Sequence, residues 1–286
     1  MNTFLWLVRR EVWEHRGSLV RAPLILMSVF VVLALIGLPL GHRHLQGVPA
    51  AFWLHAGEGL QGAMVGAVVI TALVMSISMF FYAAGSLHDE RKDRSVLFWK
   101  SLPISDAQTV MAKASIPLLV APAFALGIGL VGGLIVVALG LGALAFFGPA
   151  GASSLVASTW LSLDLGHTLL HLAALWPVYA LSALPTVGWL MACSAWARNK
   201  PLLWALLLPL AAWSVWVWLR WMGVPLPSER TVLSHLLGGL WAFRGHGDAW
   251  VRWSATMGSL DLWLGALIGV ALLAVATLGR RRCLDV

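Results

Sequence analysis

The chain has 286 residues, 60% of them hydrophobic and only 11% charged, with a mean hydropathy of +0.85. A soluble domain carries roughly 25% charged residues, so this composition excludes an ordinary globular protein and points to an integral membrane protein. The net charge of +7 then reads as basic loops facing anionic lipid rather than a nucleic-acid surface, and two cysteines, Cys193 and Cys283, make neither a disulfide framework nor a metal site.

Residues 1–21 precede the first long apolar run. Phe4, Leu5, Val8 and Val12 fall on one side of a helix, while Arg9, Arg10, Glu14 and Arg16 lie largely elsewhere and Trp6 and Trp13 stand off the stripe. This pattern predicts an interfacial helix on the cytoplasmic surface. A cleavable leader fits less well, because the segment carries two glutamates and no small-residue cleavage site follows.

The first span is expected at 22–40, closing near Pro39 and Gly41, and residues 42–60, with Arg43, three histidines and Glu58, fall outside. The second is 62–86 and the third 114–147. Those 34 residues would make a helix of roughly 51 Å, longer than a hydrocarbon core of about 30 Å, and the glycines at 127, 129, 132 and 133 invite a break. Residues 148–166 form an outer connection. The fourth span is 167–197, with kinks expected at Pro177 and Pro185, then a tight turn at Arg198-Asn199-Lys200. The fifth, 201–221, opens on a proline suited to a first helical turn.

Residues 222–258 are the largest outer segment. Within them 232–241 (V-L-S-H-L-L-G-G-L-W) is apolar but too short to cross, as a re-entrant or interfacial piece would be. The sixth span, 260–278, is stopped by Arg280, Arg281 and Arg282. The expected fold is thus a single all-α transmembrane domain of six helices, with an N-terminal interfacial helix and a re-entrant outer segment between spans five and six.

Orientation follows from the basic residues. With both termini inside, fourteen lie on inner segments (Arg9, Arg10, Arg16, Arg21, Arg91, Lys92, Arg94, Lys100, Lys113, Arg198, Lys200, Arg280, Arg281, Arg282) and five on outer ones (Arg43, Arg220, Arg230, Arg244, Arg252). The positive-inside rule therefore puts both ends in the cytoplasm.

No G-x-x-x-x-G-K-[ST] loop, G-x-S-x-G, H-E-x-x-H or paired C-x-x-C occurs, so neither a nucleotide site nor a catalytic or metal set is expected. Asp164, His167 and His171, spaced by three and four, share a helical face near the mouth of span four. They read as a polar cap where the helix leaves the bilayer, or as the ionisable site of an ion-coupled carrier. Small-residue pairs four apart, Gly62/Gly66, Gly129/Gly133 and Gly265/Gly269, predict close helix contacts.

The densest run of charge is 87–113, L-H-D-E-R-K-D-R-S-V-L-F-W-K-S-L-P-I-S-D-A-Q-T-V-M-A-K, between spans two and three. Pro103 breaks an amphipathic turn that begins at Ser95, and Ser105-x-x-Gln108 is a capping box that starts the helix feeding span three. The turn would expose Phe98, Trp99, Leu102 and Ile104 in a charged setting, a pattern suited to docking a soluble partner.

This string resembles the membrane subunits of bacterial ABC-2 type ABC transporters. In many of them E-R-[KR]-x-x-[ST]-[IV]-[LF]-x-x-x-S-L-P-[IV]-[ST] follows span two. The layout of interfacial helix, six spans and re-entrant segment is similar as well. The resemblance implies an ATP-driven exporter in the bacterial inner membrane, with two permease copies and two separate ATPase subunits. ATP and Mg would be held by the partner, leaving no cofactor and no enzymatic activity in this chain. It also implies that Glu90, Arg91, Asp93, Ser95, Lys100, Ser101, Pro103, Ile104, Ser105 and Asp106 lie at or beside the ATPase contact. The tryptophan-rich spans and sparse buried charge favour an amphipathic or lipophilic cargo.

Overall fold

A computed structural model describes residues 3–45, 56–93, 104–147, 156–158, 160–161, 165–225 and 249–282. The re-entrant candidate 232–241, Asp164, and the hairpin residues Ser95, Phe98, Trp99, Lys100, Ser101, Leu102 and Pro103 lie outside them. Among the described residues the chain is all-helical, with no strand. In chain order the helices are α1 (Thr3–Glu14), α2 (Ala22–Leu45), α3 (Ala56–Gly85), α4 (His88–Lys92), α5 (Asp106–Ser115), α6 (Ala121–Phe147), α7 (Leu165–Trp196), α8 (Pro201–Trp221), α9 (Ala249–Met257) and α10 (Leu260–Arg282). Wide π-helical stretches at Gly17–Arg21 and Ile116–Val120 lead into α2 and α6. Six helical runs are long and apolar enough to cross a membrane, and they match the six expected spans. The chain is a multi-pass membrane protein.

The boundaries of the first two spans differ from the sequence reading: α2 continues through Pro39 to Leu45, and α3 begins at Ala56 rather than at 62. The helix started by Ser105 feeds span three as expected, running through the second π stretch into α6 so that one helical run reaches from Asp106 to Phe146. The glycine-rich centre, which invited a break, carries none, and α6 is unbroken through Gly127–Gly133. Helix α7 likewise continues past Pro177 and Pro185. The turn after it holds Lys200 in a left-handed conformation (φ 50°) before Pro201 opens α8.

The chain divides into two compact units. The unit of residues 15–77 and 121–172 is built on close backbone approach. A Cβ on Gly129 would stand 2.7 Å from Val68 Cα, and one on Gly133 would stand 3.1 Å from Met64 Cα, so α3 and α6 meet there only because glycine leaves room. Met27 of α2 fills the space over Gly132. Of the expected glycine pairs, Gly129/Gly133 is a contact, whereas Gly62 and Gly66 face open space. Spacing alone cannot tell which helix face meets a neighbour.

The other unit comprises residues 1–14, 78–120 and 173–286. Its apolar core joins the end of α3 (Ala83, Ala84), α5 (Val110, Ala114), α7 (Leu190, Met191, Cys193), the start of α8 (Ala205) and α10 (Leu273, Ala276). Helices α7 and α10 touch through backbone, since a Cβ on Gly188 would lie 2.6 Å from the carbonyl oxygen of Gly269. Indole N–H groups add cross-links to helix carbonyls. Trp189 donates to Ala205 (3.0 Å), Trp196 to Val275 (3.2 Å) and Trp253 to Ala174 (2.7 Å). Each indole N–H thereby finds an acceptor while joining two helices.

On α1 the residues turned into the protein are Leu7 and Glu11, while Leu5 of the apolar stripe is 62% exposed. A carboxylate therefore helps anchor the helix to the protein.

Candidate functional site

The charged segment begins where α3 ends. Ser86 closes the last turn of α3 through its N–H to the Tyr82 carbonyl (2.8 Å), and the short helix α4 starts at once. Its first amides need acceptors. The Ser194 hydroxyl of α7 supplies one, accepting from the N–H groups of Leu87 (3.1 Å) and His88 (3.0 Å). Arg91 completes the exchange. Its Nη2 donates to the carbonyls of Ser194 (2.6 Å) and Ala197 (2.8 Å), closing the carboxyl end of α7 with a cation where the helix dipole is negative. Each helix thus caps the other.

Beside this double cap lies a buried cluster of charge. Glu11 of α1, Glu90 of α4, Lys113 of α5 and Arg280 of α10 are each less than 9% exposed. Lys113 Nζ sits 3.0 Å from Glu11 Oε1 and 3.2 Å from Glu90 Oε1. Arg280 donates through Nη1 to Glu90 Oε2 and through Nε to Asp106 Oδ1 (3.0 Å). The Tyr82 hydroxyl donates to Glu11 Oε2 (2.9 Å). At the rim, Arg10 lies 3.9 Å from Glu11 and 3.2 Å from Glu14. Glu11, Glu90 and Asp106 therefore face Lys113, Arg280 and the more distant Arg10. The set joins α1, the end of α3, α4, α5 and α10 through groups that would each be costly to bury alone.

Burial pushes the Glu11 carboxyl up, but the Lys113 ammonium beside it, hydrogen bonds from Lys113 and Tyr82, and Arg10 together hold it below the ordinary glutamate value. It is therefore charged at neutral pH, and its charge is part of what seats α1.

Ser105 does what its spacing predicts. Its hydroxyl accepts from the Gln108 N–H and its own N–H donates to Gln108 Oε1, both at 3.2 Å, forming a capping box. Asp106, in the first turn of α5, faces Arg280, which lies in the last turn of α10.

Of the ten residues implicated by resemblance, Glu90, Arg91, Asp93, Ile104, Ser105 and Asp106 are described, and they flank the undescribed 94–103. Glu90 and Arg91 turn toward the protein, Asp93 is exposed, and Ile104 is half-buried. Sequence reasoning had no route to Glu11, and it read Arg280 only as a stop charge. Arg280 instead is 4% exposed.

The second candidate set is incomplete among the described residues. The rings of His167 and His171 stand 3.9 Å apart on α7, and Asp164 lies outside. No group of three or more His, Cys, Asp or Glu suited to a metal occurs among the described residues. A groove of about 740 Å³ between α2 and α6 is lined by Leu24, Met27, Val31, Phe124, Ile128 and Val131. Ser28, also in its wall, turns its hydroxyl to the Leu24 carbonyl (2.8 Å), so the groove suits hydrocarbon. No family model, curated protein or solved structure matches the chain.

Proposed function

We propose that the chain is the transmembrane permease subunit of an ATP-driven exporter of the ABC-2 type, a multi-pass protein of the bacterial inner membrane with both termini cytoplasmic. In this reading α1 is an interfacial helix, residues 232–241 are the re-entrant outer piece, and 87–113 is the hairpin that meets a separate ATPase. Two permease copies pair with two ATPase subunits, which bind ATP and Mg and carry out hydrolysis. The chain itself performs no chemistry.

What carries the reading is the way the motif is fastened on both flanks. Before the undescribed turn, Glu90 is tied to Lys113 and Arg280, and Arg91 to the end of α7. After it, Asp106 is tied to Arg280. A loop that merely joins two spans needs no such fixings, whereas one that transmits a push from a partner must not yield at its roots. ATP binding would close the ATPases and draw the two hairpins together. Because each hairpin is ionically joined to α1, α5 and α10, the displacement would move packed helices as a body and open the path outward. Amphipathic or lipophilic cargo suits a bundle that carries an apolar groove between α2 and α6.

The test is co-purification in detergent with the ATPase encoded beside this chain, followed by an ATPase assay. A complex of two plus two is expected, with Arg91→Glu weakening retention of the ATPase while membrane insertion is unchanged. A chain that purifies alone, with no ATPase bound or encoded nearby, overturns the reading. The adjacent rings of His167 and His171 would then favour an ion-coupled carrier. Alanine at Asp164, His167 and His171 would test that alternative.

A further inference from the structure

Helix α1 shows two opposite faces, and only the inward one is accounted for by the protein. At about 100° per residue, Leu5, Trp6, Arg9 and Trp13 fall within roughly a quarter-turn of one another and opposite Leu7 and Glu11. The solvent exposures agree, with Leu5 at 62%, Trp6 at 52% and Trp13 at 59% while Leu7 and Glu11 are buried. The Arg9 guanidinium lies over the Trp6 ring, 5.1 Å from its centroid. Arg16, a little further along the chain, is exposed as well. The two neighbouring arginines of α1 differ sharply. Arg10 is engaged by Glu14 and Glu11, whereas among the described residues no carboxylate pairs with Arg9 or Arg16. Only His15 and Arg16 separate α1 from the apolar run that begins at Gly17 and is long enough to cross a membrane. The carboxyl end of α1 is thus held close to a bilayer surface.

From this we infer that the outward face of α1 is a binding surface for anionic lipid headgroups, with Trp6, Trp13 and Leu5 entering the boundary layer and Arg9 and Arg16 pairing with lipid phosphate. Indole and leucine side chains supply the apolar contact of an interfacial helix. Arginine presents planar donors that match phosphate and keeps its charge throughout the accessible pH range. The buried Glu11–Lys113–Tyr82 contacts fix the roll of the helix, so the lipid-facing side is presented ready-made and little ordering is required on binding. The inference rests on α1 lying at the interface, which is part of the proposed function, but not on the chain pairing with an ATPase.

The experiment uses the full chain in lipid nanodiscs, with Cys193 and Cys283 replaced by Ala and a fluorophore coupled at Leu5→Cys. Quenching is compared for brominated phosphatidylglycerol and brominated phosphatidylcholine at equal mole fraction. Stronger quenching by the anionic lipid is expected, weakening with added salt. Arg9→Gln and Arg16→Gln should each reduce the apparent preference roughly fivefold. Quenching by neither lipid would mean that α1 is not interfacial. Equal quenching by both would mean that α1 is interfacial without recognising charge. Either result overturns the inference, as would an anionic preference that survives both arginine substitutions. A label at Trp13→Cys replaces the first if Leu5→Cys does not fold. Purified ATPase added afterwards separates a protein-covered face from a lipid-covered one. Loss of lipid quenching on its addition would assign the face to protein.

Discussion

Residues 15–77 and 121–172 are held by glycine and methionine, with Gly129 and Gly133 pressed against Val68 and Met64. In residues 1–14, 78–120 and 173–286, comparable apolar packing is joined by a buried set of carboxylates and cations and by a mutual cap between α4 and α7. In close packing each lost contact is individually weak, about 0.1–0.2 kcal/mol, so trimming a side chain is felt in small steps. Buried charge is not so graded, because every member must keep its partner or face desolvation alone. The comparison teaches that the two units should fail differently when altered. It also suggests why a segment that must transmit force would be rooted in the ionic one.

The largest effect is expected from Arg280→Met. It leaves Glu90 and Asp106 facing one cation fewer, and removing one partner of a buried pair costs about 3–5 kcal/mol. A marked fall in the thermal unfolding midpoint in detergent checks this, and the double variant Glu90→Leu with Arg280→Leu should recover most of the loss. If Arg280→Met is as stable as wild type, the ionic unit is held by its apolar core after all. Gly133→Leu should come next. A Cβ there already meets Met64 Cγ at 2.8 Å, and overpacking costs about 1–3 kcal/mol. Gly62→Ala and Gly66→Ala, which meet nothing within 4 Å, should show no loss in the same melts.

A smaller effect should come with acid, and in the ionic unit alone. The Glu11 carboxyl is pulled in opposite directions by burial and by its cations, so only the excess of the second is felt. Because its folded value is lowered, the stabilisation is complete above the ordinary glutamate range of about 4.3. It is lost as pH falls through the lowered value. Proteolysis at α1 should therefore quicken at acid pH in the wild type and be less pH-dependent in Glu11→Gln. Equal acid sensitivity in the two chains would remove Glu11 from the explanation.

The six spans were legible because a run of twenty apolar residues has few other uses, and the start of α5 because Ser105 and Gln108 cap it with local chemistry. The ion pairs were not legible, for a reason of distance along the chain. Glu11 and Lys113 are 102 residues apart, and Glu90 and Arg280 are 190 apart. No local pattern announces such a meeting. The protein-facing side of α1 was not legible because hydrophobicity marks a side chain as unsuited to water without saying whether protein or lipid will cover it, so nothing in the stripe singled out Leu7 and Glu11. The spacing of Gly62 and Gly66 is silent in the same way. Their spacing equals that of Gly129/Gly133, but the neighbour lies against only one of the pairs.

The mutual cap and the Glu90–Arg280 pair also constrain the order in which the molecule can be completed. A ribosome delivers the chain from its amino end, so the amides of Leu87 and His88 must wait more than a hundred residues for the Ser194 hydroxyl. Glu90 meets Lys113 early but Arg280 only with the last helix. Until then its second oxygen keeps water or another acceptor-seeking group. Arg280 therefore closes a bond whose other half was laid down long before, and a chain shortened ahead of α10 would be left with that carboxylate open, marked as unfinished.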